Sequence, residues 1–217
     1  MLDFYIGLSA SLKSSLVIVL VLSVVLVVLG QKVKKMKYTD IPSGFVLLSI
    51  NFVELVNNMM TDYFRKYWKV FTPYLFTVFL FLIVANTASL WGIATPLSNI
   101  SVALAFSIFA FLSIQIAALV IKRPKQRLKD LSDPHPLFLP MNLVSEMSTP
   151  FAMGLRLFGN LLSGAIFGLI VYGLTSWAGV IPGALILHPI FDVFFGVIQA
   201  YVYLILFTIF LSMAVEE

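Results

Sequence analysis

The chain has 217 residues, 60% of them hydrophobic and 11% charged, with a mean hydropathy of +1.02. Soluble domains carry roughly 25% charged residues, so the composition excludes a water-soluble enzyme and indicates an all-α polytopic membrane protein. Cysteine is absent, the two histidines (His135 and His188) form no HExxH-type pair, and no GxxxxGK[ST] phosphate loop occurs, so thiolate chemistry, a metal site, a cofactor and an intrinsic ATPase are not expected. The net charge of +4 reads as the loop bias of a membrane protein, and no nucleic-acid partner is expected.

Residues 14–30 form a first apolar span, followed at once by QKVKKMK. A signal peptide carries its positive charge mainly ahead of the apolar run; here only Lys13 precedes it, so the span is expected to be retained as an anchor. Residues 43–69 place Phe45, Leu48, Phe52, Leu55, Val56, Met59 and Met60 at helical spacing, interrupted by Glu54, Asn57, Asn58 and Asp62. This predicts an amphipathic helix along the inner interface. A second span is expected over 71–92, with Pro73 in its first turn, and a third over 100–121. Asp133, Pro134, Pro136 and Pro140 then interrupt helix before a segment over 141–175, too long to cross upright at 1.5 Å per residue and therefore strongly tilted. The loop SWAGVIPG leads to a last long helix over 184–215. Five transmembrane helices and one interfacial helix result, in a single membrane domain covering 1–217.

Lys32, Lys34, Lys35 and Lys37 follow the first span, Arg65, Lys66 and Lys69 end the interfacial helix, and Lys122, Arg123, Lys125, Arg127 and Lys129 follow the third. These are twelve of the 14 basic residues, all on one side, and the positive-inside rule then puts the N-terminus outside and the C-terminus inside.

Arg156 lies deep in the apolar pattern of 141–175. A central membrane arginine costs about 3 kcal/mol on insertion scales, which marks it as functional. Asn160, Ser163, Gly164, Phe167 and Gly168 share its helical face, polar near the arginine and small beyond it, a surface suited to close passage of a partner helix carrying a carboxylate. On the last helix Asp192, Gly196, Gln199 and Tyr203 form one stripe, with His188 a turn earlier. Asp192 is a candidate proton-relay or ion-site residue. Glu146 precedes Arg156 by ten residues, nearer the inner side. Acid outside, arginine between and acid inside is the pattern of two offset aqueous half-channels separated by an electrostatic barrier.

GLRLFGN around Arg156, IQAYVY around Gln199, FLFLIVANTASL, TPLSNISVAL and LPMNLVSEMSTP together resemble subunit a of the rotary F-type ATP synthase over nearly the whole chain. The resemblance implies an ion-conducting, non-catalytic stator subunit, with a c-ring, peripheral-stalk b subunits, the lipid bilayer and transported H⁺ or Na⁺ as partners, and a place in a bacterial plasma membrane. It implies that Arg156 is the essential arginine, followed by Asn160, that Gln199 faces it, and that Glu146 is the inner acid. Ala165 stands where the family commonly has Glu or His, and Asp192 where it commonly has His or Glu. A standalone secondary transporter is the alternative, but it commonly shows inverted repeats and broken helices, and neither is seen here.

Overall fold

A computed structural model describes residues 9–36, 44–64, 67–122, 126–127, 131–132 and 135–216, the side chains of 172, 174–188 and 216 excepted. The described elements are helical: α1 (Ala10–Lys35), α2 (Gly44–Tyr63), α3 (Trp68–Asn86), α4 (Ile100–Ile121), α5 (Leu139–Leu187), a π-helical segment (His188–Phe195) and α6 (Gly196–Glu216), with short 3-10 turns at Ala88–Trp91, Pro96–Ser98 and Pro136–Phe138. Among the described residues, six stretches are long and apolar enough to cross a membrane: Ala10–Lys35, Gly44–Tyr63, Trp68–Asn86, Ile100–Ile121, Pro136–Val171 and Pro189–Val215. Gly44–Tyr63, expected at the interface, meets that measure as the least apolar of them.

α1 opens on Ser9, whose hydroxyl caps the Leu12 N–H, and ends in Lys32, Lys34 and Lys35, cations placed where the helix dipole favours them. Its Leu/Val surface is largely exposed, as suits lipid. The amphipathic stretch expected over 43–69 divides. Phe64 follows α2, is fully buried and packs its ring 5.1 Å from that of Phe71, while Trp68 and Lys69 already belong to α3. Because α3 starts at Trp68, Pro73 falls inside the helix rather than in its first turn. The Thr72 hydroxyl donates to the Trp68 carbonyl and the Thr77 hydroxyl to that of Pro73 itself. The helix stops at Asn86, short of the expected 92. Thr87 turns its hydroxyl back on the Ile83 carbonyl, and Gly92, at φ 67°, takes the left-handed conformation that an L side chain resists.

α4 covers the expected 100–121, with Asn99 capping the Ser101 N–H. The core lies where α3, α4 and α6 meet, around the fully buried Leu75, Leu82, Leu97, Leu204, Phe207 and Leu211. Helical geometry continues from Leu139 to Leu187, across the stretch 176–183 expected as a loop. A straight helix of 49 residues would be about 74 Å long. Yet Phe167 and Phe191 stack with ring centroids 5.5 Å apart, so the chain doubles back between them and α6 returns alongside the first part of α5.

Candidate functional site

Three contacts set the levels of α4, α5 and α6. At the first, α5 crosses α4 at Gly154: a Cβ there would fall inside the Ser107 Oγ and 2.6 Å from the Ala103 carbonyl oxygen. Only a glycine permits that approach, and it lies two residues from Arg156. The second is the Tyr203 hydroxyl, which donates to the Phe106 carbonyl at 3.1 Å and holds α6 to α4 at nearly the same height. The third is Phe191, whose Cβ lies 3.3 Å from the position a Gly164 side chain would take.

From these levels the charged residues fall in sequence along the bundle. Glu146 lies ten residues before Arg156, about 15 Å along α5. Asp192 follows Phe191 and so stands level with Gly164 and Ala165, about 12 Å beyond Arg156 on the opposite side from Glu146. Eight residues from Phe191 along the returning helix, again about 12 Å, bring Gln199 back to the height of Arg156. Arg156 is exposed at the helix surface, and among the described residues it makes no hydrogen bond or ion pair. Asn160 is half-buried on the same helix, Asp192 is half-buried in the π segment, and Gln199 is buried.

The surface expected to receive a partner helix is partly used within the chain. Gly164 and Phe167 face Phe191, so their small and aromatic positions pack the two long helices together; Ser163, Ala165 and Arg156 remain exposed. Tyr203 stands apart from the charged residues, 1% exposed, with its hydroxyl engaged by the α4 backbone. His188 opens the π segment, and its side chain lies outside the described residues.

The π segment has its own support. The Asn86 amide donates to the Gly196 carbonyl at 3.0 Å, and a Cβ on Gly196 would come 3.1 Å from that of Asn86. The wider turn of a π-helix displaces backbone acceptors from the regular α ladder, and such segments concentrate at functional sites. Asn86 Oδ1 and Ser89 Oγ are buried without a partner in the same region. In hydrophobicity alone Asn86 is only a polar mark at the end of α3; its pairing with Gly196, 110 residues away, has no local signal.

At the other end Glu146 opens onto a cavity of about 210 Å³ lined by Ser145, Thr149, Arg127 and Ile114, with Phe210, Met213 and Ala214 of α6 closing it. Arg127 Nη2 lies 2.7 Å from each Glu146 oxygen, and the Gln115 amide donates to Oε2 at 2.8 Å. Arg127, one of the basic residues that follow the third span, has a side chain only 8% exposed. Gln115, a lone amide in the apolar run of α4, was the available signal for a polar partner at this depth.

A bundle of apolar helices with an arginine at its surface, an acid toward each end and a cavity holding an Arg–Glu pair at one of them defines an integral membrane protein. The family model of the ATP synthase A chain matches residues 13–212, and the chain belongs to that family, whose members are membrane-sector subunits of ATP synthase. It is 31% identical over 179 residues to "ATP synthase subunit a 2" of a Bradyrhizobium species, covering 81% of this chain and 77% of the relative. It is 28% identical over 228 residues to "ATP synthase subunit a 2" of Chlorobaculum tepidum, covering 96% of this chain but 64% of that relative.

Proposed function

We propose that the chain is the ion-conducting stator subunit of a rotary ATP synthase, with two offset half-channels that load and unload carboxylates on a c-ring. An ion enters from outside past Asp192, neutralises a ring carboxylate, travels round the ring through lipid and leaves past Glu146. Arg156 pairs with the emptied carboxylate and stops direct passage of a like charge between the half-channels. With α2 along the inner interface, five spans put the N-terminus outside and the basic loops inside. ATP chemistry belongs to other subunits, and peripheral-stalk b subunits hold the chain against the ring's torque.

The observation that carries this reading is the isolation of Arg156. A guanidinium at the surface of an apolar helix, without an ion-pair partner among the described residues, calls for a carboxylate supplied by another chain. The exposed apolar residues beside it, Leu155, Leu162 and Ile166, suit an apolar helix as its carrier. Each elementary charge falling through 100 mV supplies about 2.3 kcal/mol, so several must pass for each ATP, and a ring is a means of accumulating them.

The test is ATP-driven ion pumping by the intact complex purified from membranes. The chain should co-purify with a ring of small hairpin subunits, and Arg156→Ala should abolish pumping while the complex still assembles. Purification alone with retained transport would favour the standalone transporter instead.

A further inference from the structure

We infer that Arg127 is a displaceable counter-ion that competes with the transported cation for Glu146. The inference rests on reading Glu146 as the acid of the inner pathway. One guanidinium nitrogen reaches both carboxylate oxygens at 2.7 Å, and Gln115 touches both partners, donating to Oε2 at 2.8 Å and accepting from Arg127 at 3.5 Å. The two ends of the pair differ in hydration: the arginine side chain is 8% exposed and the carboxylate side chain 31%. Both side chains line the cavity, and the carboxylate is the more open of the two to an arriving cation. Arg127 Nε is buried without a partner, so the docked guanidinium leaves one donor unmet. Among the described residues no other charged side chain lines the cavity: α4 offers Gln115 nearby, and α6 contributes only apolar groups.

A cation arriving at Glu146 meets a carboxylate with both oxygens already occupied. It binds only as Arg127 yields, and the return of Arg127 sends it on toward the inner face. No bond is made or broken; two cations exchange at one carboxylate. The consequence is a weakened hold on the ion at the inner mouth, so release stays fast against a high inner concentration. A loop staple without this competition would alter assembly and maximal rate alone.

The test is ATP-driven pumping by the intact complex in vesicles, with the ion concentration varied on the side of the catalytic head. Arg127→Gln should lower the half-saturating concentration about tenfold, within the usual range for coupled sites. Arg127→Lys, which keeps a cation without the planar fork, should lower it about threefold, and it decides the question should Arg127→Gln fail to assemble. In a Glu146→Gln background, adding Arg127→Gln should produce no further shift. An unchanged half-saturating concentration in the assembled variants, or a change in maximal rate alone, overturns the proposal. Failure of the half-channel reading appears separately, as continued pumping by Arg156→Ala.

Discussion

Phe191 rests on Gly164, its Cβ 3.3 Å from the point where a side chain on that glycine would begin. The contact fixes the height of Asp192, one residue on, relative to Arg156, eight residues back along α5. It also puts Asp192 level with Ala165, the position where the resembled family commonly carries a second titratable group.

Gly164 should therefore tolerate little. An alanine there requires Phe191 to give by a few tenths of an ångström, and a valine requires more. Gly164→Ala is expected to keep most ion flux, and Gly164→Val to reduce it several-fold with the complex still assembled. Equal flux in the two variants would detach Asp192 placement from this contact.

The α4–α5 crossing at Gly154 is stricter, because a backbone carbonyl bounds it. Gly154→Ala should destabilise the subunit by about 1–3 kcal/mol through overpacking, seen as a lower unfolding temperature of the solubilised complex. Removing the Ser107 hydroxyl with Ser107→Ala should restore only part of the loss, since the Ala103 carbonyl oxygen would still lie 2.6 Å from the new methyl. Complete rescue would mean that Ser107 alone sets the approach.

Tyr203 shares a sequence stripe with Asp192 and Gln199, but its buried hydroxyl ties α6 to the Phe106 carbonyl. Tyr203→Phe should cost about 1 kcal/mol of stability or less, with ion flux within twofold of the parent protein. Loss of flux at unchanged stability would return Tyr203 to the pathway.

Asp192 is the acid proposed at ion entry. Asp192→Asn should slow ion uptake from the outer side several-fold, and the defect should appear when outer pH or Na⁺ is varied, not when the inner side is varied. Turnover equal to the parent across such a series would remove Asp192 from the route.

Membrane character was legible in the sequence because lipid demands long apolar runs, and α4 fell on the expected 100–121 because no charge, proline or glycine interrupts it. The order Glu146, Arg156, Asp192 was legible for a related reason: charges in apolar helices are few enough to be counted. What sequence did not disclose arises from contacts across the fold. The Phe64 corner moved Trp68 and Lys69 into α3, and Asn86 meets Gly196 over a separation of 110 residues. The pairing of Arg127 with Glu146 is another contact across the fold. A loop arginine usually finds water, and only the nearness of Glu146 and Gln115 makes a dry position tolerable.

The claim that Arg156 is the barrier between two half-channels is tested most directly by passive ion flux with the ring prevented from turning. The absence of native cysteine in this chain makes a single engineered disulfide between it and a ring subunit a clean lock. With the ring locked, vesicles holding the parent complex should remain ion-tight, while those holding Arg156→Ala should leak. An Arg156→Ala complex as tight as the parent would contradict the account.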